Sequence, residues 1–190
     1  MRILKIKKKI KQANNVNKKL NSKKYLTLIE KIILACISVI NNKGKIIFCG
    51  NGGSASDSLH LTAELIGRFK KNRKAISAIS LNSEISTLTA VANDYGYQNI
   101  FSRQLEANGK KEDLLIAIST SGKSKNILKA LRVANKMKIK SVLMTSEIFK
   151  SKKKIADIIF RAPTKEVDRT QEIHILVGHL ICEELEKHVS

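Results

Sequence analysis

The sequence predicts an α/β three-layer sandwich: a five-stranded, mostly parallel sheet covered on both faces by helices, preceded by N-terminal helices. Two observations carry this. Short β-branched runs alternate with stretches whose apolar residues recur every three or four positions. Twice, a strand-like run ends in a small-residue loop that opens a helix, the pattern of parallel crossovers.

The elements follow in chain order. Residues 1–42 carry apolar positions at Ile3, Ile6, Ile10 and Ala13, then at Tyr25, Leu28, Ile32, Cys36 and Val39. This spacing predicts two helices, with breaks at Asn14–Asn15 and Asn21–Ser22 and a stop at Asn41, Asn42 and Gly44. Residues 1–24 hold ten basic residues and no acid, and read as a basic helical extension ahead of a single domain over 25–190. Lys45–Cys49 is a strand, Gly50–Ser54 a glycine loop, and Leu59, Ala63, Ile66 and Phe69 mark the helix after it. Ile76–Leu81 is a second strand, Ser83–Asn93 a helix and Ile100–Asn108 another, with the polar stretch 93–99 between them. Leu114–Ile118 is a third strand, leading through Ser119–Ser124 into a helix over Ile127, Leu128, Leu131 and Ala134. Ser141–Met144 and Asp157–Phe160 are strands separated by a short basic helix, and a long helix from Glu166 to His188 ends the chain.

Composition narrows the partners. In 190 residues there are 36 Lys and Arg against 16 Asp and Glu, a formal charge of +20, which favours anionic ligands without specifying them. No Trp and only eight Phe and Tyr leave no stacking platform, which argues against a nucleic-acid partner. The longest apolar stretch, Ile32–Ile40, is about half of the ~20 residues a membrane-spanning helix needs, so membrane insertion is not expected. Cys36, Cys49 and Cys182 are odd in number and embedded in apolar runs, as reduced cysteines of a cytoplasmic protein are.

The two loops carry the chemistry. Gly50, Asn51, Gly52, Gly53 and Ser54 precede a helix, where backbone N–H groups and the helix dipole favour an anion. Gly50, Gly52 and Ala55 also satisfy G-x-G-x-x-A. The acid that a dinucleotide site needs after the next strand is absent, since Asn82 and Ser83 stand there, and no Walker sequence occurs, so no nucleotide cofactor is expected. Ser119, Thr120, Ser121 and Ser124 surround Gly122 and offer four hydroxyls to phosphate oxygens. Two such loops at the carboxyl ends of parallel strands face one crevice, and a phosphorylated polyol suits the pair. His60 and Glu64, four apart, share a face of the helix after the first loop. On the last helix, Gln171 and His179 lie about 80° apart around the axis and about 12 Å apart along it, and His174 points away from His179. A histidine beside a carboxylate supplies an acid and a base near neutral pH.

GNGGSASDSLHLTAELIGRF at 50–69, the segment Asn93–Gly96, FSRQ at 101–104, ISTSGKS at 118–124 and RTQEIHILVGH at 169–179 together resemble the phosphoheptose isomerases of the SIS (sugar isomerase) family. The resemblance implies the SIS fold, a flavodoxin-like or Rossmann-like sandwich. It also implies isomerisation of D-sedoheptulose 7-phosphate to D-glycero-D-manno-heptose 7-phosphate, the first step towards ADP-heptose for lipopolysaccharide core. Carried over residue by residue, Ser119, Thr120, Ser121 and Ser124 bind the phosphate, and Asn51, Gly52, Gly53, Glu64, Asn93, Asp94 and Gln171 contact the sugar. Glu64 and His179 are then the proton-transfer pair, and His60, Glu64, Gln171 and His179 hold one zinc ion. The expected assembly is a homotetramer. The rival reading is a non-catalytic SIS module similar to the DnaA initiator-associating protein, in which the carboxylate at 64 and the histidine at 179 are expected to be lost. Both are retained here.

Overall fold

The computed structural model describes residues 2–151 and 153–189; Met1, Ser190 and Lys152, the last within the expected basic helix, lie outside the described residues. Two helices, α1 (Arg2–Lys19) and α2 (Lys23–Asn41), lead into β1 (Ile46–Gly50) and α3 (Gly53–Ile66). Next come β2 (Ala78–Ser80), α4 (Ile85–Tyr95), a single 3-10 turn at Tyr97–Asn99, and α5 (Ile100–Asn108). The second half is β3 (Leu114–Ile118), α6 (Lys125–Lys136), β4 (Lys140–Ser146), β5 (Ile158–Ala162) and α7 (Val167–Val189).

All five strands are parallel, in the order β2-β1-β3-β4-β5. Alternate residues of the buried strands enter two cores. Ile46, Phe48, Leu114 and Ile116 join α2, α3 and α7 on one face, while Ile47, Cys49, Leu115 and Ala117 join α5 and α6 on the other. Burial on both faces explains why β1 and β3 read as continuous apolar runs rather than alternating ones. The strand order reverses between β1 and β3, and the register Gly50↔Ile118 ends both strands at one level. The loops that follow therefore emerge side by side at the switch point, where open α/β sheets take ligands.

Two expectations are corrected. The helix break at Asn14–Asn15 does not occur: α1 is continuous to Lys19. Asparagine costs a helix only a few tenths of a kcal/mol beside a good former, and Val16 and Leu20 are buried just beyond. The short basic helix between β4 and β5 is absent; residues 147–151 and 153–157 form turns and irregular chain. That segment is tied at each end by a hydrogen bond instead of being held by an apolar helical face. Phe149 is buried and its carbonyl accepts the Arg161 Nε proton at 3.0 Å, while Asp157 accepts the Ser141 N–H at 2.9 Å.

The amino-terminal helix is thinly held. Its Gln12 donates to Glu166 and Lys19 Nζ to the Pro163 carbonyl at 3.2 Å, but Ile3, Leu4, Ile6 and Ile10 are exposed, Ile3 at 79%. All three cysteines are free and buried, and burial raises each thiol pKa, that of Cys182 to about 12. Among the described residues no helix is long and apolar enough to cross a membrane.

Candidate active site

The glycine loop is shaped by absent side chains. A Cβ on Gly50 would sit 2.3 Å from the Ser54 carbonyl oxygen, and one on Gly53 would sit 2.5 Å from Gln171 Nε2. Gly52 has a positive φ of 56° that side chains rarely adopt. The loop's floor is Asn82, whose amide accepts the Gly50 N–H at 3.1 Å and donates to the Gly50 carbonyl at 2.9 Å. Its N–H groups open α3, the favourable end of a helix dipole for an anion.

The hydroxyl loop differs in kind. Ser119 is buried, its Oγ 3.2 Å from Ser124 Oγ, and it accepts the Gly122 N–H at 3.2 Å. Thr120 is pinned through its carbonyl, which accepts from Ser146 N at 3.2 Å and from Thr145 Oγ1 at 3.3 Å. Ser121 is exposed and accepts the Lys123 N–H at 3.2 Å. Gly122 has φ 63° and lies against the Phe149 ring, which a Cβ would meet at 2.3 Å.

The third part of the site lies between α3 and α7. Gly178 lets the helices close on one another, since a Cβ there would reach the Leu61 side chain at 2.5 Å. His60 Nε2 and Glu64 Oε1 are 3.0 Å apart, and the His179 ring meets the His60 ring edge-on at 5.1 Å. One ligand atom from each of His60, Glu64 and His179 lies within 4.8 Å of the others. Phe69 stacks on His179 at 5.3 Å. Burial first, and the neighbouring His60 second, lower the His179 pKa, which Glu64 partly offsets. These shifts favour the uncharged imidazole, and its Nε2 is buried without a hydrogen-bond partner among the described residues. An orphaned imidazole nitrogen beside a second imidazole and a carboxylate fits a divalent transition ion such as zinc.

The structure brings His60, Glu64 and His179 together, and it places the Gln171 amide against Gly53 of the glycine loop. Asn93 and Asp94 stand exposed at the end of α4, joined by a 2.8 Å hydrogen bond from Asn93 Nδ2 to Asp94 Oδ1. His174 does lie apart from the cluster: it is fully buried and its Nε2–H donates to the Thr145 carbonyl at 3.0 Å.

Three supporting residues were missed by the reading of the sequence. Arg73 donates to the carbonyls of Glu64, Leu65 and Gly67 at 2.6 to 3.0 Å, closing the carboxyl end of α3 directly behind Glu64. Glu186 accepts the N–H groups of Phe69 and Lys70, which sets Phe69 against His179. Asp57 lies one turn before His60 on the same face of α3; burial raises its pKa to about 6, and one oxygen is buried without a partner among the described residues. Only Asp57 left a signal, the helical spacing 57, 60, 64.

A glycine loop and a hydroxyl loop side by side at the switch point of a parallel sheet, with an imidazole and carboxylate cluster between α3 and α7, define a ligand-binding α/β domain. The chain belongs to the SIS domain family, whose model matches residues 10–146. Its relatives within that family include phosphoheptose isomerases. The chain is 50% identical to one from Helicobacter pylori (strain ATCC 700392 / 26695) over 154 residues, 81% of this chain and 80% of the relative. It is 46% identical to one from Akkermansia muciniphila over 161 residues, 85% of each. The solved phosphoheptose isomerase of Francisella tularensis superimposes with a TM-score of 0.93 at 30% identity, over 98% of this chain and 99% of that one.

Proposed function

We propose that the chain is an aldose-ketose isomerase that interconverts D-sedoheptulose 7-phosphate and D-glycero-D-manno-heptose 7-phosphate, the entry to ADP-heptose. The observation that carries this is the pairing of Glu64 with His179 in one cluster on α3 and α7. Aldose-ketose exchange moves one proton from C1 to C2 and one between the two oxygens, through an enediolate, with no net loss or gain of atoms. Glu64 and His179 are the proton-transfer pair, one serving carbon and the other oxygen. Ser119, Thr120, Ser121 and Ser124 hold the phosphate. The glycine-loop N–H groups, Asn51, Asn93, Asp94 and Gln171 contact the sugar hydroxyls, and Gln171 reaches them from above Gly53.

His60, Glu64 and His179 would hold a zinc ion, with Gln171 the fourth ligand that the family resemblance implies. When bound, the metal supplies polarisation of the substrate oxygens. The exposed apolar stripe of α1 supports a homotetramer in which other subunits cover it; light scattering that gave a monomer mass at micromolar concentration would overturn that assembly.

The decisive experiment is Glu64→Gln. The amide fills the same space but cannot take a proton, so turnover of sedoheptulose 7-phosphate falls by ~10² to 10⁴ with the melting temperature unchanged. Activity within a few-fold of the unmodified chain removes Glu64 from proton transfer.

A further inference from the structure

The seam between the two loops is held by a residue with no place in the chemistry above. Asn126, in the first turn of α6, is 2% exposed. Its amide and that of Asn51 close on each other: Asn51 Nδ2 donates to Asn126 Oδ1 at 3.0 Å, and Asn126 Nδ2 donates back to Asn51 Oδ1 at 2.8 Å. Each oxygen takes a second donor. Asn126 Oδ1 accepts the Ile127 N–H at 2.9 Å, and Asn51 Oδ1 accepts the Tyr97 hydroxyl at 2.9 Å. An amide oxygen has two lone pairs, so both acceptors are saturated, and each amide keeps a single N–H to spare. The side chain of Asn51 therefore offers a ligand at most one N–H.

We propose that Asn126 is a positioning residue that fixes the separation of the hydroxyl loop from the glycine loop, so that a sugar phosphate anchored at one presents its carbons correctly at the other. This rests on the reading of Ser119–Ser124 as the phosphate cradle. The sheet does not set that separation. β1 and β3 are paired only as far as Gly50↔Ile118, and beyond that rung the hydrogen bonds that join the loops, among the described residues, are those of the amide pair. Asn126 follows Ser124 by two residues and Asn51 precedes Gly53 by two, so the pair ties the start of α6 to the start of α3. Two amides suit the task because neither ionises. The tie keeps its geometry across the working pH range and adds no charge to compete with the phosphate.

The test compares the unmodified chain with Asn126→Ala, Asn51→Ala and the double variant. It reads kcat and KM for sedoheptulose 7-phosphate, the inhibition constant of inorganic phosphate, and the melting temperature. Loss of register between a held anion and the reacting carbons acts on kcat, and a displacement of about 1 Å is enough for ~10²-fold. The expected result for Asn126→Ala is a 10- to 100-fold fall in kcat with phosphate inhibition within twofold of the unmodified value. The double variant falls no further than the worse single variant, because both singles break one tie. An unchanged kcat with only a lower melting temperature overturns the proposal, as does phosphate inhibition weakened in proportion to the loss of kcat/KM, which would make Asn126 part of the cradle itself. If Asn126→Ala does not fold, Asn126→Ser, neutral and too short to bridge to Asn51, is read on kcat with phosphate inhibition again within twofold. A fall of tenfold or more upholds the tie and an unmodified kcat overturns it. Failure of the cradle reading shows separately, as phosphate inhibition unaffected by Ser121→Ala.

Discussion

The loop after β1 and the loop after β3 occupy the same station on neighbouring strands, and they are built in opposite ways. The first works by what it leaves out: Gly50 and Gly53 sit where a Cβ would strike Ser54 or Gln171, and the polar side chains nearby, Asn51 and Asn82, face inward onto Asn126 and Gly50. It presents backbone. The second works by what it displays, hydroxyls on a turn whose carbonyl is pinned from β4 by Ser146 and Thr145. Backbone N–H groups cannot be altered by substitution except through shape, whereas hydroxyls can be removed singly. The two loops should therefore fail differently when changed.

Gly50→Ala is the severest break. The new methyl meets backbone, which cannot swing aside, so about 3 kcal/mol of stability is lost, a fall of roughly 6–12 °C in melting temperature. Calorimetry that found less than 2 °C would show the first loop to be pliable. Acid challenges the second loop from beneath. His174 holds the Thr145 carbonyl, and burial pushes its pKa down to about 4. The unfolded histidine titrates near 6.5, so the unfolded chain binds the extra proton between those values. Stability is then complete above pH 6.5 and declines by about 3 kcal/mol as pH falls to 4. Urea unfolding at pH 7, 5.5 and 4 checks this against His174→Gln, which should lack that part of the decline.

Gly52→Ala sharpens the contrast within the first loop. Its Cβ has open space around it, so only the strain of a positive φ remains, about 1–3 kcal/mol, and its melting temperature should lie above that of Gly50→Ala. The mildest change is Ser121→Ala, which removes one exposed hydroxyl from the display. Loss of one hydrogen bond to a charged group, about 1.5 kcal/mol, raises KM about tenfold with kcat nearly constant. An unchanged KM would put the phosphate elsewhere.

Much of this was legible in the chain. Lys45–Cys49 and Leu114–Ile118 announced buried strands because parallel strands are apolar on both faces, and the glycine and serine clusters that follow them announced loops at the carboxyl ends. The pair His60 and Glu64 was legible as well, because four residues return a helix to the same face. Arg73, Glu186 and Asn126 were not. Each acts on backbone or on another amide far along the chain, and a single arginine, glutamate or asparagine carries no mark of the carbonyl or amide it will meet. The basic helix expected before β5 failed for a related reason: lysines permit a helix but supply no apolar face to hold one.

The sequence by itself determined the order of strands, loops and helices, because those follow from local periodicity and from residues with restricted backbone choices. It also determined which residue types stand at the strand ends. Only the tertiary structure decided how the pieces meet. The packing of α7 against α3 at Gly178 and Leu61 brings His179 to His60 and Glu64. The reversal of strand order between β1 and β3 puts two loops that are 69 residues apart, counted from Gly50 to Ser119, side by side at the carboxyl ends of neighbouring strands. Helical spacing reaches only a turn or two along a chain, whereas these contacts depend on shape and on burial shared by the whole core.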